Sequence, residues 1–152
     1  MSAQSKFMLA DVYNRPIPQV YDATLDAYVP LGSTSADVVL VPSAAATVTN
    51  AGADQTNYGA RGVKVVLDMT VVGTGSVTLT IQGKDTASGK YYTLLAGAAV
   101  VTNVTNVYEI YPGLTTVANV AASATLPHTW RVLVTANNAN SATYSVGASL
   151  IS

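Results

Sequence analysis

The chain has 152 residues, a formal net charge of −1, only 10% charged residues and no cysteine. This length predicts a single domain, and the lack of cysteine excludes disulfides, thiolate nucleophiles and cysteine zinc sites. The 7 basic residues are scattered along the chain, which argues against nucleic-acid binding. Because charged residues make up about a quarter of a typical soluble protein, we expect other protein chains to cover much of this surface.

The N-terminal stretch MSAQSKFMLADVYN has no basic region followed by an apolar run of signal-peptide length. No apolar run in the chain approaches the roughly 18 residues of a membrane span. We therefore expect a protein that is made and folded in a cytoplasm and has no membrane partner.

The segment NRPIPQVYDATLDAYVPLGS, residues 14–33, carries prolines and tyrosines but almost no strand pattern. Each proline fixes its own φ and moves the preceding residue out of the helical region, which predicts an extended arm. Apolar side chains on such an arm suit docking on another chain, by strand addition or in a groove. The alternative is that the arm folds back on its own domain as edge strands. The predicted partner-interface residues are Arg15, Pro16, Ile17, Pro18, Tyr21 and Tyr28.

From Arg61 onward, apolar residues alternate with a period of two, which is typical of half-buried strands. The stretches RGVKVVLDMTVV (61–72) and SVTLTIQG (76–83) are separated by GTG, whose glycines can adopt positive φ. This pattern predicts a hairpin between the two strands. The predicted inner face of the first strand consists of Val63, Val65, Leu67, Met69 and Val71.

Further strand patterns follow at YYTLLAGAAVV (91–101), VYEIYPG (107–113), TWRVLVTA (129–136) and TYSVGASLI (143–151). Few stretches have helical spacing, so the sequence predicts an all-β fold. We expect an antiparallel β-sandwich, jelly-roll or Ig-like, with an extended N-terminal arm. The predicted division is an arm at residues 1–35 and a sandwich domain at residues 36–152.

Residues that could support catalysis are sparse. The only histidine, His128, has no carboxylate in the sequence around it, which favours a structural role over a metal site. A triad of a nucleophile with His128 and Asp85 lacks the G-x-S-x-G elbow, and a carboxylate pair would have to come from Asp68, Asp85 and Glu109. We therefore predict no catalytic, cofactor-binding or metal-binding residues, and no enzyme.

The tyrosines allow a carbohydrate-binding alternative. Tyr91, Tyr92, Tyr108 and Tyr111 are predicted near one end of the strands, where their rings could form a stacking platform. Tyrosine is also a strand former that often lies at the edge of a core. We favour this second interpretation and keep glycan binding as an alternative.

Several motifs resemble a family of bacteriophage and prophage virion proteins. RG, IQGKD, SGKYY, YPGLT, LPHTWRVLV and TYSVGASL occur in this order between residues 59 and 151. The segment RPIPQVYDATLDAYVPLGS also resembles, by residue type, the leader of small structural proteins of tailed bacteriophages. The resemblance implies a component of the virion and brings no catalytic residues with it.

From the residues and the resemblance together, we expect a head decoration (cement) protein. Such a protein would lie on the capsid surface of the virion and bind the major capsid protein, other virion proteins or copies of itself. A homo-oligomer, such as a trimer at local threefold positions, would suit this role, in which many modest contacts act together. A tail, neck or baseplate component is the alternative, because head and tail both need a compact β domain with a docking arm.

Overall fold

The computed structural model describes residues 19–22, 27–30 and 37–152, in a chain that divides into two compact units at residues 1–34 and 35–152. In the first unit, strands β1 (Gln19–Asp22) and β2 (Ala27–Pro30) pair antiparallel. The predicted extension of residues 15–18 lies outside the described residues.

In the second unit every regular element is a strand, which confirms the all-β prediction. The strands are β3 (Asp37–Ala46), β4 (Asn50–Ala51), β5 (Gln55–Thr56), β6 (Gly62–Val71), β7 (Val77–Lys84), β8 (Tyr91–Ala96), β9 (Val104–Ile110), β10 (Ala121–Ala122), β11 (Thr129–Ala136) and β12 (Ala142–Ile151). The described part of the chain has no helix that is long and apolar enough to cross a membrane.

The ten strands form two sheets. The front sheet has the order β10-β9-β6-β12-β3, and the back sheet has the order β4-β11-β7-β8, with β5 also paired to β11. All of these pairs are antiparallel except β9 with β10, which are parallel. Buried side chains from both sheets form one hydrophobic cluster, so the domain is a β-sandwich.

The core follows the period of two that the sequence shows. Trp130, Val132 and Val134 of β11 are buried, as predicted, and alternate with partly exposed neighbours. On β12, Tyr144 and Val146 point inward in the same way. Each fully buried aliphatic side chain contributes about 1.5–3 kcal/mol relative to exposure, so the alternating strands hold the two sheets together.

The predicted hairpin between residues 61–72 and 76–83 is wrong. β6 pairs with β12 and β9 in the front sheet, whereas β7 pairs with β11 and β8 in the back sheet. The GTG segment is therefore an arch that carries the chain from one sheet to the other. Gly73 does have a positive φ of 51°, and the Gly75 N–H donates to the Val72 carbonyl at 2.7 Å.

The predicted inward position of Val71 is also wrong, because 56% of its surface is exposed. The register between β6 and β12 shifts near this point, since Met69 lies opposite Tyr144 but Val71 lies opposite Thr143. Such a bulge reverses the side chains beyond it. Met69 is therefore the last inward residue of β6.

Candidate interaction surface

The outer face of the front sheet carries a row of apolar residues that crosses four strands. Val39 of β3 lies opposite Gly147 of β12, Gly147 lies opposite Val66 of β6, and Val66 lies opposite Val107 of β9. Directly opposite residues in a sheet share a face, so these four form one continuous stripe. Val39 is 74% exposed and Val107 is 46% exposed. We call this row the valine stripe.

A hollow of about 300 Å³ lies over Gly147, at the centre of the β3–β12–β6 part of the stripe. The hollow exists because Gly147 has no side chain between Val39 and Val66. A Cβ added at Gly147 would have only the Val38 carbonyl oxygen within 4 Å, at 3.8 Å. Internal packing therefore does not require glycine here, and the hollow is open to a partner's side chain.

Polar rows flank the valine stripe on both sides. Along the strands in one direction lie Lys64 and Glu109, opposite each other. In the other direction lies Asp68, which accepts a 2.7 Å hydrogen bond from the Thr105 hydroxyl. An apolar centre with a polar rim is the usual arrangement of a protein interface.

At the β9 end, the stripe meets a second apolar feature, which we call the edge groove. This groove has a volume of about 460 Å³ and is lined by residues 98–102, 104, 106–108 and 118–120, none of which is charged. Val101, Val104 and Val120 are 59%, 39% and 47% exposed along it. Asn119, whose φ of 62° is unusual for a residue other than glycine, shapes the turn at its rim.

The outer face of the back sheet is polar and its groups bind one another. Lys84 Nζ lies 2.8 Å from Asp54 Oδ2, and the Tyr91 hydroxyl donates to Asp54 Oδ1 at 2.7 Å. The Arg131 guanidinium stacks 3.3 Å from the Tyr91 ring centroid and donates through Nε to Gln82. The hydrogen bond from Lys84, followed by that from Tyr91, lowers the pKa of Asp54, and the same bond from Lys84 raises the pKa of that lysine. This cluster ties the segment before β5 to β7 and β8.

The predicted structural role of His128 agrees with its contacts. His128 Nδ1 lies 3.0 Å from the Asn57 carbonyl oxygen, and the Asn57 N–H donates to the His128 carbonyl. The buried Asn57 side chain donates to the carbonyls of Ala60 and Leu126 and accepts from two N–H groups of its own turn. Asn57 and His128 therefore fasten the segment before β6 to the start of β11.

The carboxylates considered for catalysis are also engaged locally. Asp85 accepts hydrogen bonds from Ser88 in the β7–β8 turn, and these bonds lower its pKa. Asp68 and Glu109 lie on the outer face of the front sheet, as predicted, with Asp68 bonded to Thr105. Across residues 37–152 and the two short described strands before them, no three His, Asp or Glu side chains are grouped as metal ligands.

The four tyrosines considered as a glycan platform occupy different environments. Tyr108 is buried, and its ring fills the space beside Gly97. Tyr91 lies opposite Lys84 on the outer face of the back sheet, whereas Tyr92 lies opposite Gly83 and points to the other face. Tyr111 lies against Arg61, whose guanidinium is 5.4 Å from the ring centroid. The adjacent pair Tyr91 and Tyr92 therefore does not present two rings side by side.

Of the predicted partner-interface residues, Arg15, Pro16, Ile17 and Pro18 lie outside the described residues. Tyr21 and Tyr28 are opposite each other in the β1–β2 register.

The sequence analysis missed the valine stripe, although the amino-acid sequence contains a signal for it. Val66 interrupts the polar face formed by Lys64, Asp68 and Thr70.

These features define a β-sandwich whose front sheet carries an exposed apolar row and an uncharged groove on its surface. No protein-family model matches the sequence, and no curated protein matches it. The resemblance of residues 59–151 to phage virion proteins therefore stays a prediction.

Among solved structures, the fold is similar to that of the PBSX exported protein XepA. The TM-score is 0.54 at 16% identity, over 100% of this chain and 50% of that chain. This chain therefore spans half the length of XepA. The SPBc2 prophage-derived protein YomS gives a TM-score of 0.47 at 10% identity, over 76% of this chain and 91% of that chain.

Proposed function

We propose that this protein is a structural component of a bacteriophage virion, and that it is a head decoration protein bound to the capsid surface. The observation that carries the proposal is the valine stripe. It exposes Val39 and Val107 at the two ends of one row, with the hollow over Gly147 between them.

The valine stripe is better suited to permanent contact with another protein than to exposure to water. Scattered surface valines are normal, but an apolar row bounded by polar rows and continued by an uncharged groove is typical of an interaction site. With 10% charged residues in the chain, few groups oppose close approach of another protein. On a capsid lattice, many copies of a modest interface suffice.

The choice of a phage particle rests on sequence and fold together. The ordered motifs between residues 59 and 151 resemble phage virion proteins, and the fold is similar to that of a phage-derived protein. A tail, neck or baseplate position uses the same surface and remains the alternative. Glycan binding has less support, because Tyr108 is buried and Tyr91 and Tyr92 point to opposite faces.

The test uses phage heads that lack this protein and binding of the purified protein to them. We expect Val39→Asp and Gly147→Glu to weaken binding by at least about tenfold, because each places a carboxylate in the apolar contact. The matched control is Val48→Asp, since Val48 is 69% exposed and lies outside the stripe. This control variant should bind like the wild type.

Two results would contradict the proposal at different levels. Heads that keep full thermal stability without the protein would exclude the cement role. The second test is cryo-electron microscopy of the intact particle, which shows where the domain lies. Density on the capsid surface supports decoration, density in the tail supports the alternative, and a particle without this domain contradicts a virion protein.

A further inference from the structure

The charged side chains of the front sheet all lie on its outer face, around the valine stripe. The five strands of this sheet contain four charged residues, Asp37, Lys64, Asp68 and Glu109. Lys64 and Asp68 are two positions before and after Val66 on β6, so the three share a face. The registers place Asp37 and Glu109 on the same face. Three carboxylates and one ammonium group leave this face with a formal charge of −2.

The rest of the sandwich domain has the opposite charge. Outside the front sheet, residues 37–152 contain four basic and two acidic residues, which are Arg61, Lys84, Lys90, Arg131, Asp54 and Asp85. The side chains of residues 37–152 are therefore neutral in total. The negative charge around the valine stripe is a local feature of one face.

Two of the acids lie on opposite sides of the hollow over Gly147. Asp37 is opposite Ser149 and Asp68 is opposite Ser145, which are the residues two positions after and two positions before Gly147. Strands lie about 4.8 Å apart and residues about 3.4 Å apart along a strand, so the Cα atom of each acid is about 8 Å from that of Gly147. The hollow is therefore flanked by a carboxylate on two diagonal sides.

Both carboxylates have only neutral partners among the residues that the structure describes. Asp37 accepts a hydrogen bond from the Ser149 hydroxyl, and Asp68 accepts one from the Thr105 hydroxyl. No ion pair between described residues involves the front sheet. Each carboxylate therefore keeps its charge for a partner that covers the stripe.

The charge pattern favours one kind of occupant for the stripe. The front faces of two copies would bring like charges together, which opposes their contact. The back sheet of a second copy does carry basic groups, but Lys84 is paired with Asp54. Arg131 is stacked on the Tyr91 ring. The complementary surface is therefore that of a different protein, with basic groups around an apolar centre.

We propose that the valine stripe binds a basic surface of a second protein. An apolar side chain of that protein enters the hollow over Gly147, and a lysine or arginine on each side of it lies against Asp37 and Asp68. An apolar anchor inside a polar rim excludes water, and opposite charges at the rim add specificity and faster association. The inference rests on the proposed function, because it gives the chemistry of the partner at the same surface.

The test measures binding of the purified protein to phage particles that lack it, at about 0.1 M and about 1 M salt, where the Debye length is about 10 Å and 3 Å. We expect Asp37→Asn and Asp68→Asn each to weaken binding about two- to fivefold at the lower salt concentration, and the double variant to weaken it about tenfold. The difference from the wild type should nearly vanish at the higher concentration. Asparagine can accept the same hydroxyl hydrogen bonds, so the fold is kept.

Two further variants control for net charge and for misfolding. Asp85→Asn removes the same charge from the β7–β8 turn, where Asp85 also accepts a hydrogen bond from Ser88, and it should bind like the wild type. Lys64→Gln removes the cation that lies opposite Glu109. The face becomes more negative, so this variant should bind about two- to threefold more tightly at the lower salt concentration. Misfolding would not produce such a gain.

Several results would overturn the inference. If the double variant binds like the wild type, or Asp85→Asn binds as weakly as the double variant, the charges of this face do not select the partner. Weaker binding of Lys64→Gln would mean that the partner is acidic. Self-association of the wild type that Gly147→Glu abolishes, measured by analytical ultracentrifugation, would mean that a second copy covers the stripe.

Failure of the inference and failure of the proposed function give different results. If the wild type binds the particles and Gly147→Glu weakens this binding while the charge variants have no effect, only the inference fails. If the wild type does not bind the particles at either salt concentration, the proposed function fails and the inference fails with it.

Discussion

At the scale of single residues, the core contains two polar atoms without a hydrogen-bond partner in the described part of the chain. These are Trp130 Nε1 and the Tyr144 hydroxyl. Burial raises the pKa of Tyr144, and the nearby Asn50 side chain acts in the opposite direction without reaching hydrogen-bond geometry. A buried polar group without a partner costs free energy, so the hydroxyl reduces the stability of the fold.

The first prediction is that Tyr144→Phe leaves the free energy of unfolding unchanged or raises it by up to about 1 kcal/mol. The ring keeps its packing while an unpaired hydroxyl is removed. Urea unfolding of the purified protein measures the change. Tyr58→Phe is the matched control, because Tyr58 is 84% exposed and its substitution should have no effect. A clear loss of stability in Tyr144→Phe would mean that the hydroxyl has a partner.

At the scale of elements, the arch between β6 and β7 is a structural constraint that differs from a hairpin turn. Gly73 has a positive φ of 51° and open space around it. At Gly75 a side chain is excluded by steric contact, because an added Cβ would lie 2.8 Å from the Ser141 carbonyl oxygen and 3.0 Å from that of Val72. The arch therefore packs against the segment that enters β12.

The second prediction compares alanine at these two glycines. Gly73→Ala should cost about 1 kcal/mol, because only its backbone conformation is unfavourable. Gly75→Ala should cost about 2–3 kcal/mol, since backbone atoms of the arch and of the β11–β12 connection would have to move. Thermal and urea unfolding of both variants provide the comparison. Equal costs would show that the two segments do not pack closely.

The pairing of elements shows the limit of sequence patterns. Alternation in residues 61–72 and 76–83 correctly indicates strands and most of their inward residues, including Val65 and Ile81. It does not indicate the neighbours of each strand. Two successive strands with this alternation fit either a hairpin within one sheet or an arch between two sheets, because each strand buries one of its faces in both arrangements. Contacts with β12 and β11, distant in sequence, decide the outcome.

At the scale of the whole molecule, two buried tyrosines link stability to alkaline pH. Burial raises the pKa of both Tyr108 and Tyr144. The folded state therefore keeps these protons at a pH where the unfolded chain releases them. Below the unfolded tyrosine pKa of about 10, these two groups make no pH-dependent change in stability. As the pH rises from there through the folded pKa, the folded state loses stability relative to the unfolded chain.

The third prediction is a fall in melting temperature between about pH 9 and pH 11 that is smaller in Tyr144→Phe than in the wild type. The phenylalanine variant has lost one of the two linked groups. Tyr58→Phe, at a position that is 84% exposed, is the matched control. If the melting temperatures of the wild type and Tyr144→Phe fall equally with rising pH, the pKa of Tyr144 is the same in the folded and unfolded states.

The interaction surface also belongs to the scale of the whole molecule. Val39, Val66 and Val107 come from three separate strands. In the sequence, Val66 and Val107 each look like an isolated apolar residue on a polar face, and Val39 is one of several apolar residues in a row. Only the registers of β3, β12, β6 and β9 place them in one row.

The sequence by itself determined the all-β class and most inward positions, because the period of two acts within a few residues. It also pointed to a structural role for His128. The tertiary structure alone decided which sheet each strand joins, how the bulge turns Val71 outward, and that the valine stripe is continuous. These properties depend on register between strands far apart in the chain. Register is set by packing of the two sheets against each other, which no local pattern contains.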